Sequence, residues 1–504
     1  MSAESPDPVD SSHDVLKPDS IDLDSVFTQP SHDEWLTSAL AGLPNHESLE
    51  SLCKQTLDGL TIQVLYDSYP TRYVNSNFRS DSTAGAWDNR LCITSGSDDS
   101  STNKHVLEGL NGGNSSLQVH INSTTNLFTV LDGVKLDLIA VSLRSTNSYT
   151  AAADAYLSVA SRQSLDKKSV HCSFNADPVG AWLQGESTTQ PDQHSLKMLA
   201  LFSRNINQQL PLANTVLVDA ALHHNAGASA QQELVASIAT AALYLEALLA
   251  EGFSLEQASQ QIVFQVACDA DILMSIVKLR SLKRLWQHTL TEFSAAKNLD
   301  FSADSTNINV VVETSKRYLS KQDHWNNHLR NIAACTSAAM ASAATIIVHP
   351  HDKIYDWQAS EDSSLGKRIA RNLPIILDRE CGLTKISDPT AGSFAIETLT
   401  QQLMETTWKR LSDMNTGDAW ITTLASGQWQ NELKQTHDRR IQRLREELSV
   451  MVGVNRFKEQ SRSTSNSIET TDSIRLTTAL LQVVRDAEEF EQLAMATTET
   501  GVTQ

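Results

Sequence analysis

The sequence predicts a (β/α)8 barrel, a fold in which parallel strands form a closed inner sheet and helices cover it. One observation is a series of short apolar runs, rich in β-branched residues, that recur roughly 20–50 residues apart after residue 110. A second is that the gaps between these runs carry helical patterns. A third is size, because eight such units in about 270 residues fit the usual length of this barrel, about 250 residues. A doubly wound open sheet is the alternative on this evidence alone.

The predicted strands are continuous apolar runs, as expected for strands that are buried on both faces. Seven clear runs and a weaker eighth lie at 116–121, 138–143, 169–174, 214–220, 262–267, 308–314, 344–350 and 383–388. A helix is predicted over 232–252, because apolar residues from Leu234 to Leu248 share one face and Gly252 is a suitable stop. A second helix, 269–290, carries basic residues that we interpret as a solvated or subunit-facing side: Lys278, Arg280, Lys283 and Arg284.

Four segments follow from these patterns. Residues 1–30 are polar and acidic and predict a disordered arm. Residues 31–110 predict an N-terminal extension that contacts a partner subunit, and residues 111–430 predict the barrel. Residues 431–504 predict a helical C-terminal extension and tail.

Composition excludes several classes of function. The net charge of −20 and the pI near 5.1 argue against a nucleic-acid or anionic-membrane surface, since both partners need basic patches. Six scattered cysteines without a C-x-x-C pair predict neither a disulfide framework nor a zinc site. We find no apolar run of about 18 residues and no basic leader, so we expect a cytoplasmic protein.

The stretch VDAALHHNAGAS (218–229) is a candidate for a catalytic or metal site, because it follows a predicted strand and barrel enzymes act at the carboxyl ends of their strands. Adjacent residues such as His223 and His224 point to opposite sides and rarely share one ion. We therefore expect loop histidines here and a structural turn at HPHD (349–352), and we predict no metal site. DPTAGSFAIETLT (388–400) lacks the spacing of a phosphate loop, so Asp388 or Thr390 is expected near a helix cap.

Several motifs, taken together and in order, resemble the methylmalonyl-CoA mutase family. They are YPTRY (69–73), WDNR (87–90), LEGLNGGNSSLQVHI (107–121), KRLWQHTL (283–290), QDHWNN (322–327), RIARNLPIIL (368–377), DPTAGSFAIETLT (388–400) and VGVNRF (452–457). The resemblance covers about residues 33–460 and the helix near 475–496. It implies a (β/α)8 barrel and a radical rearrangement of methylmalonyl-CoA to succinyl-CoA. It also implies adenosylcobalamin, bound by a separate flavodoxin-like domain.

We expect this chain to lack that cobalamin-binding domain. The family signature is Asp-x-His-x-x-Gly, and the nearest match, DQHSLK (192–197), has Lys197 in place of the glycine. That match also precedes most of the barrel, and only eight residues follow the last predicted helix. No cofactor is therefore expected on this chain alone, and the resemblance assigns adenosylcobalamin to a partner subunit.

The resemblance further implies that the catalytic positions of the family have been lost. Alignment on Ala226-Gly227 puts Leu222 at the histidine that hydrogen-bonds the thioester carbonyl, and leucine has no donor. His223 and His224 are then neighbours of that position. The full set of family positions is occupied here by Cys92, Ala221, Leu222, Gln260, Ile262, Val311 and Glu313. We interpret the mouth of the barrel as a vacated site.

The sequence thus resembles the small, non-catalytic subunit of a heterodimeric mutase, with a catalytic large subunit as partner and acyl-CoA bound through that partner. Two alternatives remain: a stand-alone pseudoenzyme that binds acyl-CoA or protein, and a barrel chain that uses a separate cobalamin-binding protein. Residual CoA contacts are possible at family positions held here by Tyr69, Thr71, Arg72 and Arg90. Arginine suits phosphate because its donors form a fork.

Overall fold

The computed structural model describes residues 30–43, 48–69, 87–96, 98–145, 148–299, 301, 308–354, 361–414, 418–458 and 479–499. The chain forms two compact units, one of residues 1–54 with 61–67 and the other of residues 55–60 with 68–504. The arm predicted over 1–30 lies outside the described residues, apart from its last residue.

The first unit contains two short helices, α1 (His32–Gly42) and α2 (Leu49–Leu52). Two strands of two residues each follow, β1 (Lys54–Gln55) at the boundary between the units and β2 (Thr61–Ile62). Helix α1 begins at a capping box, in which the Ser31 hydroxyl accepts from the Glu34 amide and the Glu34 carboxylate accepts from the Ser31 amide. This exchange satisfies two backbone donors that a helix start would leave free.

The second unit is a closed barrel of eight parallel strands, which confirms the predicted fold class. Its strands are β3 (Asp88–Thr94), β4 (Ser116–Ile121), β5 (Ala140–Ser145), β6 (Cys172–Ala176), β7 (Asn214–Asp219), β8 (Ile262–Cys268), β9 (Asn309–Thr314) and β10 (Thr345–Ile347). Each strand pairs with the next one along the chain, and β10 closes the sheet by pairing with β3.

Two strand predictions are wrong. Residues 383–388 form no strand, since Leu383–Lys385 is a single 3₁₀ turn. The missing strand is β3, which lies inside the segment predicted as the N-terminal extension, so that segment contributes to the barrel. The reason is composition: β3 reads DNRLCIT and most of its residues are only half-buried, so it lacks the apolar run that marks the other strands.

Helices fill the gaps between the strands and follow the barrel. They are α3 (Asp99–Asn111), α4 (Leu127–Val130), α5 (Tyr149–Arg162), α6 (Pro178–Leu183), α7 (Gln193–Gln209), α8 (Ala221–Asn225), α9 (Ala230–Ala250), α10 (Leu255–Gln261), α11 (Ile272–Lys297), α12 (Asn326–Met340), α13 (Glu361–Arg379), α14 (Phe394–Met414), α15 (Asp418–Ala425), α16 (Gln428–Arg445) and α17 (Glu488–Glu499). The predicted helices 232–252 and 269–290 correspond to α9 and α11.

Helix α9 is apolar around most of its circumference because it packs between the strands and the outer helices α7, α11 and α14. It begins at a second capping box, between Ser229 and Gln232. By length and composition alone this helix could cross a membrane, yet 78% of its most apolar window is buried inside the protein. Its hydrophobicity is that of a core helix.

Of the four basic residues singled out on α11, three are buried and Lys283 is half-buried, which corrects the interpretation of a solvated face. Arg280 and Arg284 both reach Glu397 of α14, with nitrogen–oxygen distances of 2.5 and 2.6 Å. Lys278 contacts Glu233 of α9 at 2.5 Å, and Lys283 donates to the carbonyl oxygens of 341 and 342. The periodicity of the sequence shows that these four residues share a helix, but only the packing supplies the acids that face them.

The Glu397→Gln substitution is expected to destabilise the protein strongly. Glutamine has no charge, so Arg284 would lose the buried carboxylate that it contacts while Arg280 would keep Asp388, and loss of one partner of a buried pair costs about 3–5 kcal/mol. The free energy of unfolding from urea titrations measures this loss. Glu405→Gln, at an exposed position of the same helix, is the matched control and should change it by less than about 0.5 kcal/mol. Equal losses in the two variants would contradict the assignment.

Candidate functional site

The inner face of the barrel is built in layers, since alternate residues of each strand point inward. An apolar layer consists of Leu217, Val263, Val311 and Ile347, and the half-buried Cys92 packs against it. The residue two positions after each of these four apolar residues is also buried, but it is polar. This polar layer consists of Asp219, Gln265, Glu313 and His349, and it lies at the carboxyl ends of the strands, which we call the mouth.

Two opposite charges meet on one side of the mouth. Arg144 of β5 donates from Nη1 to Oδ2 of Asp219 at 2.5 Å, and both side chains are nearly inaccessible to water. Burial and Arg144 act in opposite directions on the Asp219 carboxyl, and burial prevails, so that its pKa is raised. For Arg144, burial opposes the charged form, but Asp219 outweighs it and raises the guanidinium pKa. Arg144 is therefore committed to its partner within the barrel.

Glu313 is the centre of the other side of the mouth. Its Oε2 lies 3.1 Å from Lys316 Nζ and 3.0 Å from His349 Nε2, and Asn225 donates to its Oε1 at 3.2 Å. Gln265 contributes a further contact at 3.4 Å. Burial alone would raise the pKa of Glu313, but Lys316 and His349 outweigh it and hold the pKa far below its usual range. Glu313 is thus an ionised carboxylate with every acceptor site in use.

Two cations at the mouth are therefore held by acids, while the exposed Lys353 adds a third positive charge close enough to act on His349. Arg144 is paired with Asp219 and Lys316 with Glu313. Burial and Lys316 lower the pKa of His349, which leaves its imidazole neutral. An anionic substrate needs cations that are not already committed, and these pairs offer it none.

Cys92 and His120 form a contact that resembles a nucleophile and its base. Cys92 Sγ lies 3.5 Å from His120 Nε2, and Gln118 Nε2 lies 3.1 Å from the same nitrogen. Burial raises the pKa of the thiol, and burial together with Arg144 lowers the pKa of His120 to about 3. A neutral thiol beside a neutral imidazole is the opposite of the thiolate state on which cysteine nucleophiles depend.

His223 and His224 point into different surroundings. His223 Nδ1 accepts from the indole N–H of Trp429 in α16 at 3.0 Å. His224 instead lies 2.8 Å from the Ser315 hydroxyl and 3.3 Å from Glu233. Burial is the main reason that the pKa of each histidine is lowered to about 4. Among the described residues no group of three or more His, Cys, Asp or Glu side chains has the arrangement of a metal site.

The family positions inferred by alignment do not all meet at the mouth. Ala221 and Leu222 open α8 directly after β7, and Leu222 is half-buried. Gln260 is exposed, and it precedes Ile262, the first residue of β8, so these two positions lie at the opposite end of that strand. Cys92, Val311 and Glu313 are the family positions that lie inside the barrel near the mouth.

The residual CoA candidates are only partly described. Thr71 and Arg72 lie outside the described residues. Tyr69 is half-exposed and packs edge-on against Phe394, where α14 begins. Arg90 is on β3, where its Nε donates to Ser116 Oγ at 3.0 Å. The CoA hypothesis for these positions stays a prediction.

The two other motifs have structural contacts. In HPHD, His349 belongs to the polar layer and the ring of His351 stacks on Trp325 at 5.1 Å. In DPTAGSFAIETLT, Asp388 and Thr390 contact Arg280 of α11 rather than forming an open loop of amides. Both motifs are therefore held by contacts within the protein, and His351 also lines a cavity beside α12.

The nearest match to the cobalamin signature does not fit that cofactor. Asp192 is the N-cap of α7 and accepts from the Ser195 amide at 2.8 Å in a capping box. His194 is exposed on the outer helix layer, and Lys197 occupies the position of the required glycine. A histidine that ligates cobalt would need a cavity beside it, and an exposed first turn offers none.

Sequence reasoning missed most of the mouth. The residues that it did not single out are Gln118, His120, Arg144, Asp219, Asn225, Gln265, Lys316 and, as a partner of Glu313, His349. A signal was available for several of them, since a polar residue near the carboxyl end of an otherwise apolar strand marks an inward-facing polar position. Asp219, Gln265 and Glu313 follow this rule.

Fold and mouth together define a protein of the (β/α)8 barrel class whose central site is filled by its own paired side chains. The family model described as methylmalonyl-CoA mutase matches residues 97–498. The chain therefore belongs to the methylmalonyl-CoA mutase family, which confirms the resemblance seen in the sequence.

Named relatives include several small subunits. The chain is 30% identical over 464 residues to a methylmalonyl-CoA mutase small subunit of Streptomyces virginiae, covering 88% of this chain and 73% of that one. It is 29% identical to the small subunit of Propionibacterium freudenreichii subsp. shermanii, covering 80% and 64%. A methylmalonyl-CoA mutase of Cereibacter sphaeroides is 25% identical over 68% of this chain and 47% of its own length.

Acid is expected to destabilise the protein through His223. An unfolded histidine takes up its proton near pH 6.5, whereas buried His223 does so only near pH 4, so stability is lost as the pH falls between these values. Full loss amounts to about 3 kcal/mol at this site. Urea titrations at pH 7, 5.5 and 4.5 measure the slope. His223→Asn keeps an acceptor for Trp429 and should reduce the dependence of the unfolding free energy on pH. The control, exposed His194→Asn, should leave that dependence unchanged. The same dependence in both variants would refute the role of His223.

The loop after the double histidine should tolerate no side chain at Gly227. A Cβ there would lie 2.9 Å from His437 Cβ and 3.2 Å from the Leu433 carbonyl oxygen of α16. Gly252 has a similar positive φ but no atom within 4 Å of such a Cβ. Gly252→Ala should therefore cost about 1 kcal/mol of unfolding free energy for backbone strain alone. Gly227→Ala should cost clearly more in the same assay, and equal costs would count against this close approach.

Proposed function

We propose that this chain is the non-catalytic small subunit of an adenosylcobalamin-dependent methylmalonyl-CoA mutase. The partner chain would carry out the isomerisation of methylmalonyl-CoA to succinyl-CoA. In this proposal the present chain stabilises the partner, binds neither cofactor nor substrate by itself, and works in the cytoplasm. The small-subunit names of its relatives support this choice over the other roles of the family.

The observation that carries the proposal is the closed polar layer. In a working barrel, polar side chains at the mouth must exchange their hydration for contacts with substrate. Here Glu313 uses its oxygens on Lys316, His349 and Asn225, and Arg144 is held by Asp219. Binding an acyl-CoA there would require these pairs to break, and each break leaves a buried charge without its partner.

The position of the thioester-binding histidine supports the same conclusion. Alignment places Leu222 there, and the two nearby imidazoles are engaged by Trp429, Ser315 and Glu233. Both imidazoles are therefore held by other contacts, although His223, which accepts at Nδ1, still carries a proton on Nε2. The alternative of an active barrel served by a separate cobalamin protein would need a donor at the position of Leu222.

The partner and the inactivity can be tested together. The purified chain, supplied with methylmalonyl-CoA and adenosylcobalamin, should form no succinyl-CoA. Mixed with the large mutase chain of the same organism, it should elute with that chain as one complex on size-exclusion chromatography. Turnover by this chain alone would disprove the inactivity, and separate elution would favour a stand-alone binding protein instead.

A variant separates a structural role from a hidden catalytic one. Cys92→Ala changes a half-buried residue at the mouth that corresponds to a cofactor-contacting tyrosine in the family. If the partner performs the chemistry, kcat per assembled complex should stay within about twofold of the wild-type value. A loss of tenfold or more, equivalent to about 1.4 kcal/mol of transition-state binding, would show that this barrel participates.

A further inference from the structure

The surface of α12 is unusually apolar for a helix that faces water. Trp325, its N-cap, is 50% exposed, Leu329 is 65% exposed and Ile332 is 43% exposed. The three lie at positions i, i+4 and i+7 and therefore on one face. Among the described residues no other helix presents three exposed large apolar side chains on one face. Such a stripe is typical of an interaction surface.

The neighbouring segments extend this stripe at both ends. Beyond the first turn of α12, Val452 is 48% exposed, and its carbonyl oxygen accepts from Arg330 at 2.7 Å. Beyond the last turn, the 3₁₀ turn at 383–385 packs on the helix and is followed by Ile386, which is 61% exposed. We call Val452, Trp325, Leu329, Ile332 and Ile386 the α12 stripe.

A cavity opens beside the α12 stripe, between α12 and α13. Its volume is ≈ 200 Å³, and its walls are largely aliphatic, with Ile332 and Ile376 at the exposed side. A cavity of about 150 Å³ holds a benzene ring, so this one has room for a large side chain. One polar atom in its lining, Nε2 of His328, has almost no exposure and no hydrogen-bond partner among the described residues. That atom is too enclosed to contact a docked group, so it is the size and the aliphatic walls of the cavity that suit an aromatic side chain.

The charged residues around the α12 stripe indicate what kind of protein could bind there. Arg368 lies on the exposed face of α13 between Leu365 and Ile376, Lys385 adjoins Ile386, and Lys458 lies in the loop beyond Val452. All three are exposed, and none has an ion pair with a described residue; with Glu380 as one exposed acid beyond Ile376, the rim still carries a net positive charge in a chain whose net charge is −20. A second copy meeting this face about a twofold axis would bring like charges together. A partner with carboxylates around an apolar centre fits better.

We propose that the α12 stripe and its cavity form the docking surface for the catalytic mutase chain, with an aromatic side chain of that chain inserted between α12 and α13. The identity of the partner rests on the proposed function. The arrangement matches an anchor side chain held in a pocket and surrounded by apolar contacts, with charges at the rim.

The test measures binding of this chain to the large mutase chain of the same organism. Leu329→Glu and the double variant Leu329→Glu with Ile332→Glu place charge in the α12 stripe. Leu138→Glu is the matched control, because Leu138 is 76% exposed in the turn before β5. We expect the double variant to raise the Kd about 100-fold and the control to change it less than threefold. The melting temperature of each isolated variant shows whether its fold is intact, and Leu329→Glu alone serves if the double variant unfolds.

A pocket variant addresses the anchor separately. Ala370 lines the cavity and is 7% exposed, so Ala370→Leu should fill part of it and weaken binding about tenfold without lowering the melting temperature. Wild-type affinity in all of these variants would overturn the docking surface while leaving the subunit function intact. Absence of binding by the wild-type chain would overturn both proposals. Self-association of the chain that the stripe variants abolish would overturn the choice of partner.

Discussion

A carboxylate buried inside a barrel must be neutralised where it lies, because burial removes the water that would otherwise stabilise its charge. Glu313 imposes this requirement on the whole mouth. Its ligands come from different parts of the chain: Gln265 from β8, Asn225 from α8, and Lys316 and His349 from the segments that follow β9 and β10. One buried charge thereby fixes the conformation of three loops that, in an enzyme of this fold, would be shaped by substrate.

The buried carboxylates of the helices that surround the barrel are neutralised in the same way. Glu233 of α9 and Glu397 of α14 are inaccessible carboxylates, and each is approached by basic residues of α11. His224 also reaches Glu233, so the network beneath the mouth continues outward into the helices. Lys278 and His224 outweigh burial and lower the pKa of Glu233 to about 2, which keeps this carboxylate ionised. These ion pairs therefore fix how the helices are positioned against the barrel more specifically than apolar packing alone would.

Much of the fold could be predicted from the sequence, because strands buried on both faces must be apolar runs. Seven of the eight strands satisfied that condition. β3 did not, since it is half-buried and carries Asp88, Asn89 and Arg90 in its first half. The segment 383–388 reads LTKISD and has only two large apolar residues, Leu383 and Ile386, so its β-branched residues alone suggested a strand, and local propensity is overridden when no neighbouring strand edge is available. Whether β3 and 383–388 form strands depends on where each segment lies relative to the barrel, and the local sequence pattern does not contain that information.

The candidate site was predictable only in part. Alignment with a family finds positions where a catalytic residue is replaced, and it led to Leu222 and Glu313. It does not show what a replacement contacts, so the alignment could not reveal that paired side chains occupy the mouth. Arg144 and Lys316 became meaningful only when the barrel closed and brought Asp219 and Glu313 to them. Ion pairs between distant segments depend on tertiary structure and leave no local pattern.

The pairing at the mouth also restricts how this sequence can change over time. Replacing Asp219 alone leaves Arg144 without its carboxylate, and replacing Arg144 or Lys316 alone leaves a buried carboxylate without its cation. Tolerated exchanges must therefore come in pairs, such as a neutral residue for each member at once. A return to an open barrel that accepts substrate would pass through single substitutions that are less stable than both the present barrel and the open one. The paired charges therefore make such a return improbable in evolution.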